Sequence, residues 1–323
     1  MFTYFTYVVF CRSMQLLLLQ IIFFFASNSV GSANNGNNNI RPRISGGEKA
    51  NIKEYPYVVL ITYPLGLCTG AIIDPSWILT AGHCIFKYNI CNVTAGMDDE
   101  TTPSEHVQVR KSEKSFTHEK YDHSRGRYTS LNDIGLIKVD EPFNITDYVA
   151  VVGVSGKPWP LDGTMYQRYC KAAGWGSLQI GQPPSLALMR LNATARHGDK
   201  ACKCLPTYIE KRVVCLRRGK GGICPGDSGG SLVCDKEVVG VAHVMVSTTS
   251  CNFLKIREAP LLCNTSTSVY MFTCPYLNWL RKFVPNIPER PASCRGVTLS
   301  GHMVTVIFLN ILLFLKITLL KYL

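Results

Sequence analysis

The sequence predicts an all-β fold that closes with a single helix, on three observations. Short runs of β-branched and aromatic residues alternate with Gly, Pro and Asn turns, which is typical of strands. These runs cover residues 57–61, 77–79, 107–109, 134–139 and 238–246. Residues 276–284 change to helical spacing, which predicts a helix at the end of the domain. The residues contain no internal repeat, so we do not expect a repeat architecture.

The chain begins with an apolar segment that predicts export. Residues 1–31 carry Arg12 and then an apolar run over residues 16–26, followed by small polar residues. The run is short for a membrane span, and its layout is typical of a secretory signal peptide, with Met14 as an alternative start. An uncleaved signal anchor is the other interpretation. Residues 32–43 are polar and Asn-rich and cannot bury a core, so we expect them to be disordered.

The charge balance is basic, with 34 Lys and Arg against 22 Asp and Glu and a formal net charge of +12. A nucleic-acid-binding protein is the first alternative for such a balance. The basic residues are scattered, however, and the sequence holds no nucleic-acid recognition motif. We therefore interpret the charge as a solvated surface with a weak preference for anionic partners, and we expect no nucleic-acid partner.

Cysteine content and glycosylation sequons indicate an oxidising compartment. The chain has 14 cysteines, which is normal for a secreted protein and unusual in a reducing cytosol. Metal binding is the alternative, but Cys202 and Cys204 lack a second ligand pair at zinc-finger spacing, so we expect no metal site. Four Asn-X-Ser/Thr sequons are candidate glycosylation sites: Asn92, Asn144, Asn192 and Asn264.

The C-terminal region predicts a membrane attachment. Residues 285–301 are rich in Pro and Ser and are interpreted as a linker, and residues 302–323 are almost wholly apolar apart from Asn310, Lys316 and Lys321. Small residues, a spacer and a terminal apolar tail are typical of a GPI-attachment signal. A membrane span is the alternative, and Lys316 weakens both interpretations. Candidate attachment sites are Ser293, Gly296 and Ser300.

A Gly-Asp-Ser-Gly-Gly run at residues 226–230 predicts a nucleophile in a tight turn. A serine hydroxyl needs a base to become nucleophilic, and flanking glycines let backbone N–H groups converge on a substrate carbonyl. A plain surface turn is the alternative. The chain supplies the missing partners in order, because His83 lies in a Thr-Ala-Gly-His-Cys run and Asp133 opens an apolar run.

These motifs, together with Arg-Ile-Ser-Gly-Gly at residues 43–47 and Gly-Trp-Gly at residues 174–176, resemble the trypsin/chymotrypsin-like serine proteases (peptidase family S1) over about residues 44–284. The resemblance implies two six-stranded antiparallel β-barrels with the active site between them, and no cofactor. It also implies that Ser228 is the nucleophile, His83 the general base, and Asp133 the residue that orients the base. Protein or peptide substrates and protease inhibitors are the implied partners.

The resemblance further implies a zymogen. Residues 32–43 resemble an activation peptide that an upstream protease of tryptic specificity cuts after Arg43. The new Ile44 amine is then expected to pair with Asp227, and the pair to order an oxyanion hole formed by the amides of Gly226 and Ser228.

The family pattern also implies disulfide pairs. We expect Cys68–Cys84, Cys170–Cys234 and Cys224–Cys251, with Cys215 bonded to either Cys202 or Cys204. Cys263–Cys274 is the expected extra pair. If Cys11 is removed with the signal and Cys294 with the tail, twelve cysteines remain.

The expected specificity pocket departs from trypsin. The resemblance places Gly222 at the pocket floor, and glycine cannot hold Arg or Lys by a charge-assisted bond. Met245 and Ser268 fall where the family has wall glycines, and His243 falls where it has a serine bonded to the catalytic aspartate. We group Gly222, His243, Met245 and Ser268 as substrate-binding and expect chymotrypsin- or elastase-like cleavage after uncharged apolar P1 residues. His243 either replaces the serine's bond or perturbs Asp133.

The sequence thus predicts a secreted or cell-surface serine endopeptidase. The alternative is a catalytically weak homologue that binds partners through the same cleft; the complete triad argues against it, and the altered pocket favours it.

Overall fold

The computed structural model describes residues 47–88, 90–125, 130–160, 166–177, 179–198, 201–202, 205, 212–216, 221–246, 263 and 266–294. Within these residues the predicted all-β class is confirmed as two closed six-stranded antiparallel barrels. Both hydrophobic ends of the chain, the activation segment around Arg43 and Ile44, and Asn264 lie outside the described residues.

The first barrel has six strands in the order β2-β3-β4-β7-β6-β5. Its strands are β2 (Val58–Tyr63), β3 (Gly66–Asp74), β4 (Trp77–Thr80), β5 (Asn92–Ala95), β6 (Gln108–Thr117) and β7 (Gly135–Val139). One short helix, α1 (Gly82–Ile85), follows β4 directly. β-Branched and leucine side chains fill the interior, and Ile61, Ile72, Leu79 and Leu136 have no exposed surface.

The second barrel is closed by β9, β10, β11, β14, β13 and β12 in that order around the ring. Its strands are β9 (Arg168–Gly174), β10 (Met189–His197), β11 (Val213–Leu216), β12 (Ser231–Cys234), β13 (Glu237–Val246) and β14 (Thr267–Phe272). Two short strands extend it: β1 (Glu48–Lys49) pairs with β10, and β8 (Gly153–Val154) pairs in parallel with β13. Four 3-10 turns complete the described elements: Ile52–Glu54, His123–Arg125, Cys274–Tyr276 and Ala292–Cys294.

The predicted C-terminal helix is present but shorter than residues 276–284. The α-helix α2 covers Leu277–Leu280 and continues as hydrogen-bonded turns to Val284, just before Pro285. Proline cannot supply the N–H that a longer helix would need. Trp279 and Phe283 pack in an aromatic group with Trp77 and Phe116, which fixes the helix against the first barrel.

Five disulfides are present among the described residues, and two expected pairs are wrong. Cys68–Cys84 and Cys170–Cys234 are confirmed, and Cys215 bonds to Cys202. Cys224, however, pairs with Cys263 instead of Cys251, and Cys274 pairs with Cys294 instead of Cys263. Cys204 and Cys251 lie outside the described residues. Cys91 is a buried free thiol, and burial raises its pKa.

The Cys274–Cys294 bond joins the first part of the predicted linker to the domain. The first part of the predicted linker folds back onto the domain: Ile287 is buried, and Gly156 lies against Pro288. The counting argument that removed Cys294 with the tail is therefore wrong. Within the described ranges no helix is long and apolar enough to cross a membrane.

Candidate active site

His83 and Asp133 meet because β4 and β7 are neighbours. Thr80 at the end of β4 pairs with Gly135 at the start of β7, so α1 and the residue before β7 face each other. The His83 Nδ1 lies 2.6 Å from Asp133 Oδ2, and the His83 backbone N–H donates to Oδ1 at 2.7 Å. Asn132 adopts φ 62°, a left-handed conformation that Asn tolerates and that directs the next side chain inward.

Asp133 is buried and ionised. Its side chain is 1% exposed and that of His83 is 9% exposed. Burial alone would raise the pKa of Asp133, but the charge and hydrogen bonds of the His83 and His243 imidazoles hold it well below its usual range. An ionised carboxylate only accepts hydrogen bonds, so the His83 Nδ1 carries the proton and Nε2 is free to act as a base.

The Ser228 turn belongs to the second barrel but is held by the first. The N–H of Thr69 on β3 donates to the Ser228 carbonyl at 2.9 Å, and Thr69 Oγ1 donates to the Gly226 carbonyl at 2.9 Å. Gly229 has φ 82°, and a Cβ there would collide with Thr80. Thr69 was not singled out from the sequence; its position next to Cys68 in the histidine-loop disulfide was the available signal.

The Ser228 backbone lies next to the residue that follows His83 in the chain. Cys84 Sγ, adjacent to His83 in the chain, lies 3.6 Å from the Ser228 carbonyl oxygen. The His83 Nε2 is buried and has no hydrogen-bond partner within the described residues. Catalytic hydrogen bonds are often long in ligand-free enzymes and shorten when substrate binds, so this geometry is compatible with a serine–histidine pair.

Two of the five backbone amides of the turn have no acceptor among the described residues. The N–H groups of Asp227, Gly229 and Gly230 donate to the carbonyls of Cys224, Ala242 and Asp227. The amides of Gly226 and Ser228 have no acceptor in the part of the chain that the structure describes. Gly226 has φ 103°, which a side chain would disfavour.

Asp227 points away from the catalytic pair into the second barrel. Its carboxylate is buried and accepts the N–H of Gly176 and that of Cys224, each at 2.8 Å. Burial raises its pKa to about 6, and the two backbone bonds only partly oppose this. No cation forms an ion pair with it within the described residues.

Three of the four residues grouped as substrate-binding come together. Met245 on β13 is opposite Ser268 on β14. A Cβ on Gly222 would lie 3.0 Å from Ser268 Oγ and 2.7 Å from the Cys263 carbonyl oxygen. The Ser268 hydroxyl also accepts the Ile223 N–H at 3.0 Å. The space beside Gly222 is therefore bounded by the Ser268 hydroxyl and by the carbonyl of Cys263, whose expected partner was Cys274.

The fourth residue of this group, His243, contacts Asp133. Its side chain is 2% exposed, and its Nδ1 lies 2.5 Å from Asp133 Oδ2. The expectation that His243 is also a substrate-binding residue stays a prediction, since the structure shows only its contact with Asp133. Of the two alternatives, replacing the family serine's bond is the one that the distance supports.

Among the described residues, two groups of side chains have the composition of a metal site, and neither has metal geometry. Cys68 and Cys84 near His83 are joined in a disulfide. In the second group, His83, Asp133 and His243, the nitrogen–oxygen distances are 2.6 and 2.5 Å. Ligands of tetrahedral zinc at about 2.0–2.1 Å would lie about 3.3 Å apart, so these contacts are hydrogen bonds.

Comparisons with known proteins agree with this geometry. The family model described as Trypsin matches residues 44–256. Snake venom serine protease nikobin from Vipera nikolskii is 31% identical, over 61% of this chain and 75% of its own length. Glandular kallikrein-10 from Rattus norvegicus is 32% identical, over 62% of this chain and 78% of its own length. Kallikrein-2 from Homo sapiens is 30% identical, over 62% of this chain and 79% of its own length.

Proposed function

Because the chain belongs to the trypsin family of serine proteases, we propose that it is a secreted endopeptidase made as a zymogen, with Ser228, His83 and Asp133 as its catalytic triad. The observation that carries this proposal is the buried His83–Asp133 pair, held against the Ser228 turn by bonds from the first barrel.

The proposed mechanism is acyl transfer. Ser228 Oγ attacks the scissile carbonyl while His83 Nε2 takes the hydroxyl proton, and Asp133 stabilises the resulting imidazolium. The C–N bond then breaks, and His83 gives the proton to the leaving amine. Water enters, His83 removes its proton, and hydrolysis of the ester regenerates Ser228. The Gly226 and Ser228 amides stabilise the oxyanion in both steps.

Activation is proposed to occur by cleavage after Arg43 by another protease of tryptic specificity. The support is Asp227, a buried carboxylate with a raised pKa and two N–H donors but no cation among the described residues. An Ile44 ammonium arriving beside it would supply the missing positive charge, which favours the ionised form and fixes the turn that holds Gly226 and Ser228.

The proposed P1 preference is for uncharged, medium-sized apolar residues. Gly222 offers no carboxylate, and the Cys263 carbonyl and Ser268 hydroxyl occupy the space next to it. A panel of peptides that differ only at P1 tests this preference. Faster cleavage after Leu or Val than after Arg or Asp is expected, and a preference for Arg would contradict it.

An extracellular location is proposed from the five disulfides, which persist in oxidising compartments, and from relatives described as snake venom proteases. The sequon residues Asn92, Asn144 and Asn192 are exposed, as glycosylation requires. We also propose that the chain is attached to the outer face of the membrane, by a GPI anchor or by a span at residues 302–323. Protease inhibitors are further proposed partners.

The test is activity-based labelling. The purified zymogen is cut at Arg43–Ile44 and treated with a fluorophosphonate probe, with Ser228→Ala and uncleavable Arg43→Gln as controls. Labelling that needs both the cut and Ser228 is expected. Absence of labelling after a verified cut would favour the second candidate, a catalytically weak homologue that binds partners, for which the His243–Asp133 contact is the specific observation.

A further inference from the structure

His243 reaches Asp133 through an irregularity in β13. The pairing of β13 with β14 shifts register between Ala242 and Val244, so His243 occupies a β-bulge. Bulges re-aim a side chain and recur next to active sites. On either side of Ala242 the backbone is bonded to the nucleophile turn, through Gly229 N–H to Ala242 O and Ala242 N–H to Gly230 O, each at 2.8 Å. The bulge therefore has a fixed position relative to Ser228.

Both imidazoles contact the same oxygen. His83 Nδ1 and His243 Nδ1 lie 2.6 and 2.5 Å from Asp133 Oδ2, while Oδ1 accepts the His83 backbone N–H. Because the ionised carboxylate cannot donate, each Nδ1 must carry a proton. His243 thus keeps the carboxylate in place, as a hydroxyl at this position would, but unlike a hydroxyl it has a second ring nitrogen that can bind a proton.

We propose that His243 is a positioning residue for Asp133 and that the two imidazoles share the single negative charge of this carboxylate. The inference rests on the proposed function. Asp133 balances one imidazolium, and a second would leave an unpaired positive charge in a buried site. The first extra proton therefore binds to either imidazole, His83 or His243. A second extra proton binds much less readily, as in other coupled pairs of titratable groups.

The remaining charges near the site do not replace this carboxylate. Among the described residues, Arg212 is a cation on this side of the site, and its Nη1 donates to Asn132 Oδ1 at 3.4 Å. Tyr276 is buried, and burial raises its pKa to about 12 against the opposing effect of Arg212, so it stays neutral. A proton on His243 therefore consumes the charge that would stabilise the His83 imidazolium in the transition state.

The test compares the pH dependence of kcat/KM in the cleaved enzyme for the unaltered chain, His243→Asn and His243→Ala. The Asn amide nitrogen reproduces the donor near Nδ1 but does not titrate. We expect His243→Asn to keep kcat within a few-fold at alkaline pH and to move the acid midpoint down by about 0.3 pH unit if the two rings have equal proton affinity, and by more if His243 binds the proton more tightly.

The Ala variant separates positioning from packing. Loss of the hydrogen-bond donor in His243→Ala is expected to lower kcat about tenfold at all pH values, because a net hydrogen bond contributes about 1.4 kcal/mol. The acid midpoint of kcat/KM is expected to fall by the same amount as in His243→Asn. If His243 were only structural, His243→Asn would leave the acid midpoint unchanged. That result would overturn the proposal.

A second readout does not need activity. In the inactive Ser228→Ala form, proton NMR is expected to show two low-field imidazole N–H signals and a two-step titration of the His83 ring. Adding His243→Asn is expected to leave one such signal and a one-step titration. If labelling fails but this pattern is found, the protease function is wrong and the shared carboxylate stands. If labelling succeeds and His83 titrates in one step in both forms, the shared carboxylate is wrong.

Discussion

Two aspartates lie at the centre of this molecule, and both are almost fully buried, yet their pKa values move in opposite directions. Asp133, before β7, faces two imidazoles, and its pKa is held well below the usual range. Asp227, before the nucleophile, has two backbone N–H donors but no cation among the described residues, and burial raises its pKa to about 6. Burial costs each carboxylate the same kind of hydration energy, so the partners decide the outcome.

The opposite pKa shifts of Asp133 and Asp227 indicate how well each carboxylate is stabilised by the groups around it. Asp133 accepts hydrogen bonds from the His83 backbone and from both imidazoles, and these bonds fix the His83 ring with Nε2 unprotonated. Around Asp227 the donors are amides without formal charge, and the carboxylate is only partly stabilised. A buried carboxylate that accepts two backbone N–H groups is suited to control by a newly formed N-terminus, which is the role proposed for Ile44.

The largest expected effect comes from Asp133→Asn. An amide in this position presents an N–H to His83 Nδ1 and favours the wrong tautomer, so Nε2 carries a proton and cannot act as a base. We expect kcat to fall about 10⁴-fold, as for other triad aspartates. Steady-state kinetics on the cleaved enzyme measure it, and the melting temperature reports folding. A fall of less than tenfold in a folded variant would show that Asp133 does not orient the base.

The next effect is expected from Asp227→Asn. The amide nitrogen of Asn would face the Gly176 or Cys224 N–H, and the new N-terminus would lose its charged partner. We expect the cleaved variant to lose about 10²–10³-fold in kcat, the typical cost of one oxyanion-hole donor, because Gly226 and Ser228 are no longer held. KM is expected to change less. The uncut form should be equally inactive with either residue, which serves as the control.

The fold and the two carboxylates were accessible from the sequence for different reasons. Strand-forming runs are local signals and predicted the all-β class. The two barrels and the roles of His83, Asp133 and Ser228 were implied by the family resemblance that the ordered motifs carry. Cys263 was assigned wrongly because its partner, Cys224, is 39 residues away in the sequence, and no local pattern indicates that pairing. Cys294 was assigned to the tail because composition alone does not reveal that residues 285–294 fold back. The placement of His243 depends on a bulge, which alternation of residue types does not predict.

The pH dependence of stability should separate the two aspartates. Asp133, with a lowered folded pKa, contributes stability above its unfolded pKa of about 4 that is lost as pH falls. Asp227, with a raised pKa, contributes stability below about pH 4 that is lost as pH rises through about 6. For a shift of about two units this loss is about 3 kcal/mol.

Thermal unfolding of Ser228→Ala between pH 4 and 7, before and after cleavage at Arg43, measures this effect. In the uncut form, the Asp227 contribution should decline over this range. After cleavage, the Ile44 ammonium should lower the pKa of Asp227 and abolish the decline. Parallel curves for the cut and uncut forms would argue against a charge partner for Asp227.

The smallest expected effect uses one glycine beside each aspartate. A Cβ on Gly176 would lie 2.5 Å from both Asp227 Cγ and Oδ2, whereas a Cβ on Gly82 would lie 3.1 Å from Asp133 Oδ1 and 3.0 Å from a Thr117 methyl. Gly176→Ala must displace a fully buried carboxylate, and we expect a loss in the upper part of the 1–3 kcal/mol range for overpacking. Gly82→Ala should cost about 1 kcal/mol or less, because the Thr117 methyl can give way. Denaturant unfolding of both variants in the Ser228→Ala background measures the two losses in the free energy of unfolding. Equal losses would mean that the two carboxylates are held with the same rigidity and that they differ in charge alone.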